Sequence, residues 1–275
     1  MRAGILLLTS LLAAGVLRAE EDKIDENLVK LFEARIYREA SAGSLPYRLF
    51  KPANYDPKQK YPLVLFLHGA VGAGNDNRRQ FNGGNEVPAK ALTAPENQAK
   101  YPCFILAPQC SIQSRWARYG EDVHPTEPTL LTLAVLSRLP REFSIDRDRL
   151  YIVGLSMGGF GVWDLISHYP NLFAAAVPIC SGGDTNKAPL LVRLPIWCFH
   201  GDADPLVPVG YAREMIAAIK KAGGNPKYTE YPGVGHNSYV NAFKEPELLP
   251  WLFAQKRLSL TTAATPAKVP APAKN

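Results

Sequence analysis

Ser156 stands in the run LYIVGLSMGGFG (150–161), two residues after Gly154 and two before Gly158. An apolar, strand-like run ends just before it and a helical pattern begins just after it. So abrupt a passage from strand to helix strains the residue at the turn, and flanking glycines keep side chains out of the crowded corner. The hydroxyl is lifted into the open beside a helix N-terminus, whose amides favour developing negative charge. This is a setting for a nucleophilic serine. A Ser/Gly-rich turn without chemistry has the same composition, but it does not require the strand before and the helix after.

A nucleophilic serine needs a base, and the base needs an orienting acid. The histidines are His68, His124, His168, His200 and His236. With the chain order serine, acid, histidine, only His200 and His236 follow Ser156 at a useful distance. His168 falls further along the helix that starts at the serine and points away from it. His200 ends a strand and reads as a packed residue. His236 lies in the glycine-rich run PGVGHNSY, after the last strand, and is the candidate base. The acid should follow a later strand. FHGDADPLVP offers Asp202 and Asp204, and SGGDTN offers Asp184. Spacing favours Asp204, with Asp202 as a turn cap and Asp184 third. An oxyanion needs two backbone N–H donors. Met157 would supply one, and Ala70 in HGAVGAGNDN the other, with Val71 next.

The elements that must hold these residues follow from periodicity. Leu31–Arg38 and Leu45–Lys51 alternate as an opening antiparallel pair. Tyr61–Gly69, Cys103–Gln109, Leu150–Gly154, Ala174–Ser181 and Pro195–Gly201 are short, nearly continuous apolar runs, the signature of strands buried on both faces. Lys227–Tyr231 reads as a last strand. Helical spacing covers Thr126–Leu139, with Thr126 as cap and Pro128 in the first turn, then Gly158–His168, Val209–Ala222 and Ser238–Lys256. Strands alternating with helices predict an α/β fold with a mostly parallel central sheet and helices on both faces. In such a sheet function sits beyond the carboxyl ends of the strands, where Ser156 falls.

The ends have a different character. Arg2 followed by the apolar Ala3–Leu17 and the small residue Ala19 reads as a signal peptide over 1–19, too short and wrongly flanked for a membrane span. The Ala/Pro/Lys-rich stretch 256–275 reads as a solvated tail, leaving 20–255 as one domain. The net charge is +6. Arg2, Arg18, Lys256, Arg257, Lys268 and Lys274 account for it, so the folded body is near neutral and nothing points to nucleic acid. Export would place the protein outside the cell or in the periplasm and permit disulfides. Cys103, Cys110, Cys180 and Cys198 allow three pairings, among which the sequence does not choose. No CxxC or His/Cys cluster has metal-ligand spacing, so neither a metal nor an organic cofactor is expected.

Taken together, FLHGAVGAGNDN, PQCSIQSRW, GLSMGGFG, HGDADPLVP and GVGHNSY resemble the α/β-hydrolase superfamily over about Leu45 to Phe253. Within it they look like the secreted, lid-less esterases variously described as carboxylesterase-, polyhydroxybutyrate-depolymerase- or prolyl-oligopeptidase-like. The resemblance implies Asp204 as the acid, since H-G-x-x-D-x-x-V carries it on its aspartate. It also implies Ala70 and Met157 as oxyanion donors, and Trp116 as a residue lining the substrate site. One departure concerns the first glycine loop. Relatives often carry a Glu-Arg pair there, where this chain has Gly72 and Ala73.

The gap from Ser181 to Pro195 leaves about fourteen residues, room for a loop but not for a helical cap. An open site suits short acyl esters, or acetyl or feruloyl groups on a polysaccharide; Trp116 and Tyr119 read equally as a platform for them or as plain packing. Two alternatives share the fold. A peptidase of prolyl-oligopeptidase type uses the same triad but adds a propeller for which this length has no room. A non-catalytic binding protein would have lost a triad member, and none is missing.

Overall fold

The computed structural model describes residues 24–39, 43–118 and 125–257. The expected signal peptide, Tyr119, His124 and the tail beyond Arg257 lie outside the described residues. Eight strands form one sheet: β1 Glu33–Glu39, β2 Gly43–Phe50, β3 Tyr61–Leu67, β4 Phe104–Pro108, β5 Ile145–Leu155, β6 Ala175–Ile179, β7 Trp197–Gly201 and β8 Lys227–Tyr231, in the order β1-β2-β4-β3-β5-β6-β7-β8. β2 runs antiparallel to both β1 and β4, and every later pairing is parallel.

The apolar runs form central strands because both their faces are covered. Every residue of β3 is buried. Its side chains alternate, as pleating requires. Leu63, Leu65 and Leu67 share one buried cluster with Leu131, Val135 and Leu139 of α4 (Glu127–Glu142) and Val162 and Ile166 of α5 (Met157–His168), to which α6 (Gly210–Lys221) adds Met215 and Ile219. Val64 and Phe66 point the other way, toward Leu28 of α1 (Glu26–Lys30), Leu92 of α2 (Glu86–Thr93), Ala242 of α7 (Ser238–Ala242) and Leu252 of α8 (Leu248–Ala254). Each fully buried leucine or phenylalanine contributes about 2 kcal/mol, so the two faces hold the sheet rigid beneath the loops at its carboxyl end.

Several expectations are corrected. The closing helix expected over Ser238–Lys256 is two short helices, α7 and α8. Pro246 intervenes; it lacks a donor and disfavours helical backbone at the residue before it. Thr126 occupies the N-cap position of α4 without capping it; its hydroxyl instead contacts Trp116 O at 3.2 Å and Thr129 Oγ1 at 3.0 Å. α1 was not expected; Asp25 Oδ1 caps it by accepting the Asn27 and Leu28 amides, both at 3.1 Å. Neither α2 nor α3 (Pro95–Lys100) was expected. Arg257, assigned by composition to the tail, is docked on the body through Asp148 Oδ1 at 2.8 Å. Between β6 and β7 only a 3-10 segment, Thr185–Leu191, intervenes, consistent with an uncapped sheet end. Among the described residues no helix is long and apolar enough to cross a membrane.

Candidate active site

Register brings the ends of β5 and β6 level, and those of β7 and β8 level two residues further on. Leu155 stands opposite Ile179, Ile179 opposite Phe199, and Gly201 opposite Tyr231. Ser156, Cys180, Asp202 and Pro232 therefore begin their loops along one edge.

Ser156 holds φ 52 and ψ −120, a conformation that a non-glycine residue keeps only at a cost of about 1–3 kcal/mol. Its N–H donates to Ile179 O at 3.0 Å, which pins the corner to β6. The flanking glycines are there for space. A Cβ on Gly158 would lie 1.9 Å from Leu67 O, and one on Gly154 2.4 Å from Gly158 O.

The loop after β7 supplies Asp204, whose side chain is wholly buried. Asp204 Oδ1 accepts the Leu206 and Val207 amides, both at 2.9 Å. Oδ2 is left for His236 Nδ1, 2.7 Å away, and His236 Nε2 stands 2.9 Å from Ser156 Oγ. An ionised Asp204 is acceptor-only, so Nδ1 carries the proton and Nε2 offers a lone pair to the serine hydroxyl. The base-bearing loop is tied to the acid-bearing loop. Gly233 N–H donates to Asp202 Oδ1 at 2.6 Å, and Ala203 N–H to Val234 O at 3.1 Å. Asp202, expected as a turn cap, thus links the two loops instead. Asp184 accepts Asn186 N–H at 2.9 Å at the start of the 3-10 segment.

Neither His168 nor His200 bonds the serine. His168 Nδ1 is 2.9 Å from Asp164 O, one turn back on its own helix. His200 is completely buried behind Asp204, its Nε2 2.9 Å from Val207 O and 3.4 Å from Asp204 Oδ2.

Met157 opens α5, so no carbonyl one turn back can accept its N–H. Ala70 opens a 3-10 turn, Ala70–Gly72, in which the Gly72 and Ala73 amides already donate to Gly69 O and Ala70 O. That turn is braced by Asn85, His68 and Gln109. Gly69 N–H donates to buried Asn85 Oδ1 at 2.6 Å. His68 Nε2 accepts Cys110 N–H at 3.0 Å, which puts the ring proton on Nδ1, facing Gly69 O at 2.7 Å. Burial holds His68 down to about 4, so the ring stays neutral. Gln109 Nε2 donates to Gly72 O at 3.2 Å and to Asp76 Oδ1 at 2.8 Å, while its Oε1 accepts Asn77 N–H at 2.5 Å. A buried polar residue in an aperiodic loop gives no pattern to read, and the polarity of HGAVGAGNDN was the only hint.

Trp116 is a correction. Its expected place was beside the substrate, but it is 0% exposed. Its Nε1–H donates to His68 O at 3.0 Å, and the ring meets His68 edge-on. The indole is core packing under the glycine loop and presents no face to a ligand. The four cysteines are free thiols, all buried, and burial pushes Cys103, Cys110 and Cys180 up to about 12.

The model of the Dienelactone hydrolase family matches residues 122–247. A bifunctional acetylxylan esterase/xylanase of Neocallimastix patriciarum is 30% identical over 62% of this chain and 23% of its own length. An uncharacterized secreted protein of Arthroderma benhamiae is 26% identical over 70% of this chain, which spans 24% of that relative. The crystal structure of a thermostable esterase superposes with a TM-score of 0.80 at 39% identity, over 84% of this chain and 64% of that one.

Proposed function

We propose that this chain, a member of the α/β-hydrolase superfamily, is a serine hydrolase of carboxylic esters. One observation carries the reading: Ser156 Oγ, His236 and Asp204 form a continuous hydrogen-bonded line at 2.9 and 2.7 Å on a strained strand–helix corner. The likeness to esterases at 30% and 39% identity supports it.

In this reading Ser156 Oγ attacks the ester carbonyl while His236 Nε2 takes its proton. Asp204 fixes the imidazole with its proton on Nδ1 and stabilises the imidazolium that forms. The Met157 and Ala70 amides receive the oxyanion. His236 then protonates the departing alcohol, and water releases the acid from the acyl-enzyme with His236 again as base.

The proposed substrates are short acyl esters or acyl groups on polysaccharide. The uncapped strand ends and the acetylxylan esterase named above support this choice. Export through the leader at 1–19 is proposed with it, supported by the leader's residue pattern and the likeness to a secreted protein. The test is hydrolysis of p-nitrophenyl esters from acetate to laurate, then of acetylated xylan, with Ser156→Ala in parallel. The expected result is turnover that favours short chains and vanishes in the variant. Turnover of no ester above the variant would overturn the reading.

A further inference from the structure

His200 raises a question that the line from serine to acid leaves open. A completely buried imidazole stands directly behind Asp204, and its Nδ1 has no hydrogen-bond partner. Buried polar atoms are seldom left so. Val207 O can only accept, so Nε2, 2.9 Å from it, must carry the ring proton. Nδ1 is then a bare lone pair, the less costly kind of orphan.

The same Nε2 lies 3.4 Å from Asp204 Oδ2, the oxygen that also receives His236 Nδ1–H at 2.7 Å. Asp204 Oδ1 is already committed to the Leu206 and Val207 amides. One N–H thus leans on the oxygen that steers the base and anchors the carbonyl of the residue whose amide holds the other oxygen. Gly201–Val207 closes around this ring.

We propose that His200 is a positioning residue for the acid: a neutral second histidine that fixes the Asp204 carboxylate and draws charge from its Oδ2. The inference rests on the triad reading above. Neutrality is essential to it. A cationic ring here would pair with Asp204 and take the carboxylate from His236. A second proton would have to sit on Nδ1, buried without an acceptor, and burial holds His200 below the usual histidine range. The other ionisable groups facing it are Asp204, His236 and, across the β7–β8 pairing, Glu230, which is engaged by Arg213 Nη2 at 2.7 Å and by Tyr228. Cys180, beside Asp204, is a neutral thiol.

The test uses a fluorophosphonate, which phosphonylates an activated serine with loss of fluoride and needs no knowledge of the natural ester. Labelling rates are measured from pH 4.5 to 9 for wild type, His200→Leu and His200→Gln. Leucine removes the donor; glutamine can return an N–H to Val207 O and Asp204. Loss of the donor leaves more charge on Oδ2 facing His236, so its imidazolium is held more strongly. The expected result for His200→Leu is a rate about tenfold lower at neutral pH and an acid limb moved to higher pH by roughly half a unit or more. His200→Gln should recover most of the rate and return the limb. The proposal is overturned if leucine leaves the limb in place, or if the two variants are equally impaired. If His200→Leu does not fold, His200→Gln and His200→Asn decide, because asparagine's amide falls short of Val207 O; equal limbs in these two overturn it. Failure of wild type to label at all would instead sink the serine-hydrolase reading.

Discussion

Asn85 holds the backbone of Gly69. Its Oδ1 accepts the Gly69 N–H at 2.6 Å while its Nδ2 donates to Asn82 O at 2.5 Å, and the side chain is completely buried. Gly69 directly precedes Ala70, the proposed oxyanion donor, so Asn85 fixes the His68–Gly69 peptide, the one immediately before the peptide that carries the donor. Asn85→Ala leaves the Gly69 amide without its acceptor and is expected to cost about 2 kcal/mol of stability. The oxyanion is met only in the transition state. kcat on p-nitrophenyl acetate should therefore fall by roughly ten- to a hundredfold while KM moves little. A rise in KM with unchanged kcat would show that Asn85 shapes the pocket and not the donor.

The corner at Ser156 makes a second prediction. Leu67 O occupies the place where a Gly158 side chain would begin, 1.9 Å from an ideal Cβ. The obstacle is backbone of a central strand, which cannot swing aside as a side-chain tip can. Gly158→Ala should destabilise by on the order of 3 kcal/mol, read as a lower urea midpoint. Activity should fall as well, because any relief requires α5 to shift away from β3 and to carry the Met157 amide with it. A variant with wild-type midpoint would mean that the corner is softer than its geometry indicates.

The thiols allow a third test, of the disulfides that export would permit. Cys103, Cys110, Cys180 and Cys198 are all free and buried, and burial pushes the first three up to about 12. Native protein should react with Ellman's reagent slowly, on the timescale of opening and not of surface thiols. In urea all four should titrate without prior reduction, and dithiothreitol should leave the thermal midpoint where it was. Two missing thiols in urea would indicate a disulfide.

How much of this was legible depended on how local each signal is. The buried strands declared themselves through continuous apolar runs, and their mostly parallel arrangement followed from alternation with helices. The Ser156 corner was readable because its constraint is steric and falls on residues two positions away. Asp204 and His236 were reached through loop spacing, and the geometry joins the two. Trp116 misled because indole–carbonyl packing under a loop and an exposed aromatic platform look identical in a string of letters. Only the position of His68 O, 48 residues away, separates the two. Asn85 and Gln109 gave no signal because the backbone groups they hold, Gly69 N–H for the one and Gly72 O and Asn77 N–H for the other, lie far away in the chain. The break between α7 and α8 was in principle visible, since Pro246 disfavours helical backbone at the residue before it, but the apolar spacing on either side masked it.

His68 makes a prediction about stability, separable from catalysis. Its ring is completely buried, bonded to Cys110 N–H through Nε2, and burial holds it down to about 4 against an ordinary 6.5. An unfolded chain therefore binds a proton at His68 at a pH where the folded chain does not. The contribution is fully present above about 6.5 and is lost progressively as pH falls toward 4; it amounts to about 3 kcal/mol at most. Stability should thus rise with pH across this window. His200 contributes with the same sign, since burial also lowers it, so wild type alone does not isolate His68. The difference from His68→Gln does, because glutamine can still accept the Cys110 amide yet cannot titrate. The variant should be less stable than wild type at pH 8 and should lose less of its stability on acidification. Urea unfolding at pH 8 and pH 4.5 measures both. Equal losses in the two proteins would place the acid sensitivity elsewhere in the fold.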